Sequence, residues 1–235
     1  MNAPVSGDSL KYKGMRVMKD FKRCFKLIKY CYNYKDETYT SVVLFVLGIL
    51  SFFVGFQDSL VMGSSLFLVL MPVAFIKALF NLPYSYMVCS SRKRKLIELT
   101  FPNVWTVVAT CLGYLIWILL IKGFVLTGVP EWEAEVAKWI MWSSLFHVVM
   151  HIFLGVCTRL YWQSIMVLVP VMMFFILAPI LWKEAFAGFT EFETAAGIGF
   201  VITLAGAIVA CILRVLVYKL PLVRGRVGKK MLTNM

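Results

Sequence analysis

The sequence predicts an all-α fold: a polytopic membrane protein with six transmembrane helices, an amphipathic interfacial helix ahead of them, and both termini in the cytoplasm. Three observations predict it. First, the 235-residue chain is 61% hydrophobic and 15% charged, against about 25% charged in soluble domains. With a mean hydropathy of +0.83, it lacks the polar residues to cover a soluble surface. Second, the apolar residues gather into runs near the ~20 residues that cross a bilayer. Third, the basic residues fall almost entirely in alternate loops. The net charge of +12 would suggest nucleic acid in a soluble protein. Here the basic residues sit beside apolar runs, so they indicate the positive-inside rule and contact with anionic lipid, and no nucleic-acid binding is expected.

Residues 1–40 form the cytoplasmic N-terminus, and about 15–34 of it is the interfacial helix. Met18, Phe21, Phe25, Ile28 and Tyr32 are spaced by three and four, which puts them on one helix face. Lys19, Lys22, Arg23, Lys26 and Lys29 fill the others. A basic helix with an aromatic apolar face suits the membrane interface; the alternative is a soluble helix packed on a partner. About forty polar or amphipathic residues precede the first span, so no cleavable leader is expected.

The transmembrane domain covers 41–218, with spans at about 41–56, 60–80, 104–125, 136–156, 164–182 and 194–218. Pro72 lies inside the second span, and Pro170 and Pro179 lie inside the fifth. All three are expected bending points, because proline removes a helical hydrogen bond and clashes with the preceding turn. Between spans two and three lies a basic island, 83–102, PYSYMVCSSRKRKLIELTFP. The sixth span is rich in Gly and Ala, which allow helices to approach closely. The tail, 219–235, is basic. Of the 24 Lys and Arg residues, 21 fall on the side of the termini, the island and the short 157–163 break, and three (Lys122, Lys138, Lys183) fall on the other. This split places the termini and the island in the cytoplasm of a cell-membrane protein. Glu131, Glu133, Glu135, Glu184, Glu191 and Glu193 fall outside. None of the six cysteines lies in an exterior loop, the usage of reduced thiols. The seven tryptophans sit mostly near span ends, as an aromatic belt would. Arg214, late in span six, is expected to reach the cytoplasmic interface.

Motifs for chemistry are sparse. There is no Walker A loop, no G-x-S-x-G elbow and no H-E-x-x-H,. Neither an enzymatic activity nor a nucleotide site of the chain's own is expected. The one metal-like pair is His147 and His151, at i and i+4 on the fourth span. One helix face carries both imidazoles within chelating reach, but a metal site needs a third ligand. The other reading is two neutral histidines in a polar packing network.

The layout resembles the permease subunit of an ABC-2-type transporter, the type V exporter fold. Its marks are the basic N-terminal helix, the large basic loop after span two, the string Arg92 to Pro102 (RKRKLIELTFP) leading into span three, and the short second loop. The resemblance implies a permease dimer, of identical or different chains, seated on ATP-binding subunits that hold the ATP and Mg²⁺. It implies that Tyr84 to Leu99 is the coupling helix, with Tyr84, Arg92, Lys93, Arg94, Lys95, Leu96, Glu98 and Leu99 contacting the ATPase. Arg159 would lie in a second, smaller contact, and 183–193 would be the exterior element between the last two spans. The second loop is shorter than that role asks for. Spans without a mid-membrane carboxylate suit a hydrophobic or amphipathic cargo, and the resemblance, through the chain's small size, implies peptide export from the cell. Two other functions remain open from the sequence: a membrane enzyme built on a His147/His151 metal site, and a non-transporting immunity or scaffold protein.

Overall fold

The computed structural model describes residues 22, 34–53, 63–74, 95–157, 161–182 and 184–218, and every regular element among them is helical. We label the α-helices α1 (Tyr34–Leu50), α2 (Met71–Ala74), α3 (Phe101–Leu120), α4 (Glu133–Val156), α5 (Tyr161–Leu181) and α6 (Phe192–Val217). Three stretches are long and apolar enough to cross a membrane: Phe101–Leu126, Pro130–Val156 and Phe192–Val217, with 26, 27 and 26 residues. They correspond to the third, fourth and sixth expected spans. The described residues are therefore all-helical, and three of their stretches have the length and apolar character of membrane spans. The apolar helices at Tyr39–Phe53, Gly63–Val73 and Met166–Pro179 are shorter.

Helix α1 begins at Tyr34, seven residues ahead of the expected start of the first span, and ends in a 3-10 turn, Ser51–Phe53. Two π-helical stretches precede prolines. Leu66–Leu70 runs into α2 just before Pro72, and Leu96–Thr100 runs into α3 just before Pro102. In each the following residue, Met71 or Phe101, donates its N–H five residues back. A proline has no N–H to give, and its ring crowds the carbonyl of the preceding turn. Widening that turn by one residue relieves the crowding, so at Pro72 the expected bend takes the form of a π-bulge. In α5 the helix continues through both Pro170 and Pro179.

Side-chain contacts give each helix its direction. Trp117 donates to Ser64 Oγ (3.1 Å), Gly113 abuts the backbone at Leu68, and Trp105 donates to the Pro72 carbonyl (2.8 Å). The 63–74 segment therefore runs against α3. Thr110 pairs with His151 and Tyr114 with His147, so α4 also opposes α3. Gly155 meets Ala210, Val148 meets Gly206 and Ser144 meets Gly199, so α6 lies parallel to α4. Phe146 meets Phe175 edge to face, setting α5 against α4, and Trp142 meets Phe186 of the following turn in the same way. Gly48 packs on Phe67 and Leu68 while Phe53 meets Phe124, so α1 runs with α3. Successive segments thus alternate in direction.

Close approaches at glycines, Gly206 against Val148 among them, hold this arrangement. A Cβ on Gly113 would stand 2.4 Å from the Leu68 carbonyl oxygen, and one on Gly155 would stand 2.7 Å from that of Ala210. Only glycine lets these backbones meet. The small residues of α6 divide accordingly. Ala195, Gly199, Gly206, Ala207 and Ala210 are buried, whereas Gly197 and Ala205 are exposed.

One end of the bundle is acidic. There the Phe192 N–H, at the start of α6, donates to Glu133 Oε1 at the start of α4 (2.9 Å). A carboxylate at this position satisfies an otherwise unpaired N–H and matches the helix dipole. Lys122 pairs with Glu193 at the same end. The adjoining turns place Phe186 at φ 67°, the one non-glycine residue with positive φ among the described residues. A bulky residue there is strained. Its ring is held by Trp142 (centroids 5.2 Å apart) and Phe189 (6.0 Å).

Candidate functional site

The inner faces of α3, α4 and α6 carry polar residues at helical spacing. On α3 these are Asn103, Thr106, Thr110, Tyr114 and Trp117. On α4 they are Ser144, His147 and His151, and on α6 Thr203 and Arg214. Facing them from the 63–74 segment are Ser64 and Ser65, both buried. The three long helices bring these groups together into one polar chain inside the bundle.

The chain can be followed from the Arg214 end. Arg214 Nη1 donates to Asn103 Oδ1 (2.7 Å) and to Thr106 Oγ1 (3.3 Å). Thr106 and Thr110 each donate four residues back, to the carbonyls of Pro102 and Thr106, both at 2.7 Å. His151 Nε2 lies 2.7 Å from Thr110 Oγ1, and its Nδ1 lies 2.7 Å from the His147 carbonyl. His147 Nδ1 faces Thr203 Oγ1 (3.3 Å), and its ring meets Trp117 and Tyr114 edge to face at 5.8 and 6.4 Å. Its Nε2 has no hydrogen-bond partner among the described residues. Tyr114 donates to the Ala196 carbonyl (3.1 Å). In an apolar medium buried polar groups are stable only when paired, so this chain holds the three helices in one register.

Several expectations change here. Arg214 does not extend to an interface: it is 4% exposed and points into the bundle. It shares the inward face of α6 with Gly199, Thr203, Ala207 and Ala210, and Asn103 waits opposite. Trp117 is not part of a belt: it is wholly buried and bonded to Ser64. Trp182, half exposed, suits a belt better. His147 and His151 do not converge on a common point. Both His151 ring nitrogens face protein oxygens, and the described residues contain no group of three or more His, Cys, Asp or Glu arranged to hold a metal.

Of the expected ATPase contacts, Lys95 is exposed, Leu96 is half-buried and Leu99 is buried. They lie on or beside the π-helix that opens α3, whose backbone includes Glu98. Tyr84, Arg92, Lys93, Arg94 and Arg159 lie outside the described residues. So do Met18, Phe21, Phe25, Ile28 and Lys26 of the interfacial helix, and the tail 219–235; Lys22 is exposed. Asn103, Thr106, Thr110 and Thr203 were not singled out from the sequence. The signal for Thr203 is the helix face it shares with Arg214 on α6, and the signal for Asn103, Thr106 and Thr110 is their own spacing of three and four along α3,. No family model, curated protein or solved structure matches the chain.

Proposed function

We propose that the chain is the membrane-embedded permease subunit of an ATP-driven exporter of the ABC-2 type. It sits in the cell membrane, crosses it six times with both termini in the cytoplasm, and works as a dimer. ATP is bound and hydrolysed by a partner subunit, and the cargo is hydrophobic or amphipathic, such as a peptide. One observation carries this reading. Exposed Lys95, the last residue of the basic island's charge run, is helical and continues without a break through Leu96–Thr100 into α3. A push on the island is therefore a push on the helix that bears Asn103, Thr106 and Thr110. The π-bulges beside Pro102 and Pro72 give α3 and its neighbour places to yield.

The charge asymmetry supports the orientation. Glu133 and Glu193 meet at one end of α3, α4 and α6, whereas Lys95 and Arg214 lie toward the other. The test is to purify the full chain from native membranes and ask whether an ATP-binding subunit with a Walker A motif comes with it. Reversing Arg92, Arg94 and Glu98 together is expected to lose that subunit or uncouple its ATPase from cargo. A chain that purifies without any ATPase, or whose coupling survives the triple reversal, overturns the reading.

A further inference from the structure

The polar chain contains a proton count that does not close for a neutral histidine. A carbonyl only accepts, so the 2.7 Å contact between His151 Nδ1 and the His147 carbonyl requires a proton on Nδ1,. A neutral ring then has a bare Nε2, which must accept, and Thr110 Oγ1 is the group against it at 2.7 Å. Thr110 has one hydroxyl proton. The Thr106 carbonyl, also at 2.7 Å, claims the same proton. If the proton goes to His151, two oxygens face each other at hydrogen-bond distance with nothing between them. If the ring carries a second proton, Nε2–H donates to Thr110, Thr110 donates to Thr106, and all three contacts are made.

We propose that His151 is a proton-binding site inside the membrane part of the protein, and that its occupancy sets the shape of α3. The proton is taken from and returned to water. With the proton bound, Thr110 back-bonds to its own helix, as Thr106 does one turn earlier, and such back-bonds bend a helix,. With the proton released, Thr110 turns to His151 Nε2 and that back-bond opens.

Two effects oppose the bound proton, and a switch needs that balance. His151 is wholly buried, where a cation is disfavoured,. Arg214 is a second cation on the same chain, linked through Thr106. Among the described residues, the other titratable groups along this chain are Tyr114 of α3, His147 of α4 with Cys157 just beyond it, and Cys211 of α6. Residues 63–74 supply none. No carboxylate lies in α3, in residues 136–156 or in residues 194–217. A proton, rather than a metal, is the cation that such a donor set can hold.

The chain contains two histidines, so ¹⁵N-histidine labelling of the full chain in lipid bilayers yields two ring systems. His147→Gln leaves one, and it keeps the backbone carbonyl that His151 contacts. Solid-state NMR is expected to show a doubly protonated His151 ring at about pH 3 that gives way reversibly to the Nδ1–H tautomer by about pH 7. Thr110→Val is expected to abolish the doubly protonated form at about pH 3, and Thr110→Ser to retain it. A ring that stays neutral across that range, or a proton indifferent to Thr110→Val, overturns the site. If Thr110→Val does not fold, the wild-type titration and Thr110→Ser still decide. These outcomes do not depend on any cargo or ATPase.

Discussion

Helix α4 has two unlike faces. One, with Ser144, His147, His151 and Gly155, meets α3 and α6 through hydrogen bonds and through backbones in contact. The other, with Trp142 and Phe146, meets α5 and the turn after it through aromatic edges on Phe175 and Phe186. In water both faces would be driven together by burial of apolar surface. In lipid that drive vanishes, because acyl chains solvate an aromatic edge nearly as well as another ring does. What remains on the α6 face is short-range: backbone approach, and polar groups with no other partner in hydrocarbon. The two faces should therefore differ in their tolerance of substitution.

Close packing gives the largest expected effect. Gly155→Ala places a methyl 2.7 Å from the Ala210 carbonyl oxygen, an overlap with backbone that no rotamer relieves. We expect a loss of about 3 kcal/mol or more in reversible unfolding from mixed micelles, while Gly197→Ala, which meets nothing within 4 Å, is silent. Asn103→Leu comes next. It removes the Oδ1 that accepts from buried Arg214, and a hydrogen bond to a charged group is worth about 2 kcal/mol. Asn103→Asp should restore or exceed wild-type stability in the same assay. On the other face, Phe146→Leu loses the edge contact with Phe175 and is expected to cost about 1 kcal/mol. A loss equal to that at Gly155 would erase the distinction between the faces. Glu193→Gln should do least. Its pairing with Lys122 is largely exposed, so the change should stay within about 0.5 kcal/mol and vanish at high salt.

Much of the α3, α4 and α6 layout was legible. Their apolar runs and the grouping of Glu131, Glu133, Glu191 and Glu193 follow from composition and charge alone. The small residues of the sixth span announced a close contact. Which of them make it was not legible: Gly199 turns inward and Gly197 outward, although the two are identical. In a soluble helix, apolar contrast separates the inner face from the outer. In a membrane helix both faces are apolar, and that contrast is lost. The same loss explains Trp117, whose position in the third span was compatible with a belt but whose indole N–H is spent on Ser64. Arg214 misled for a related reason. Its long side chain can reach either an interface or a buried acceptor, and the choice depended on Asn103, 111 positions away.

The sequence by itself determined that this is a helical membrane protein, where its long spans lie, and which loops carry charge. Those properties are sums over residues, and a sum needs no coordinates. Only the tertiary structure decided that His147 and His151 belong to a hydrogen-bonded chain with Thr110, Thr203 and Arg214 rather than standing as an isolated pair. Hydrogen bonds depend on distances of a fraction of an ångström between helices far apart in sequence, and no periodicity along one helix contains that information.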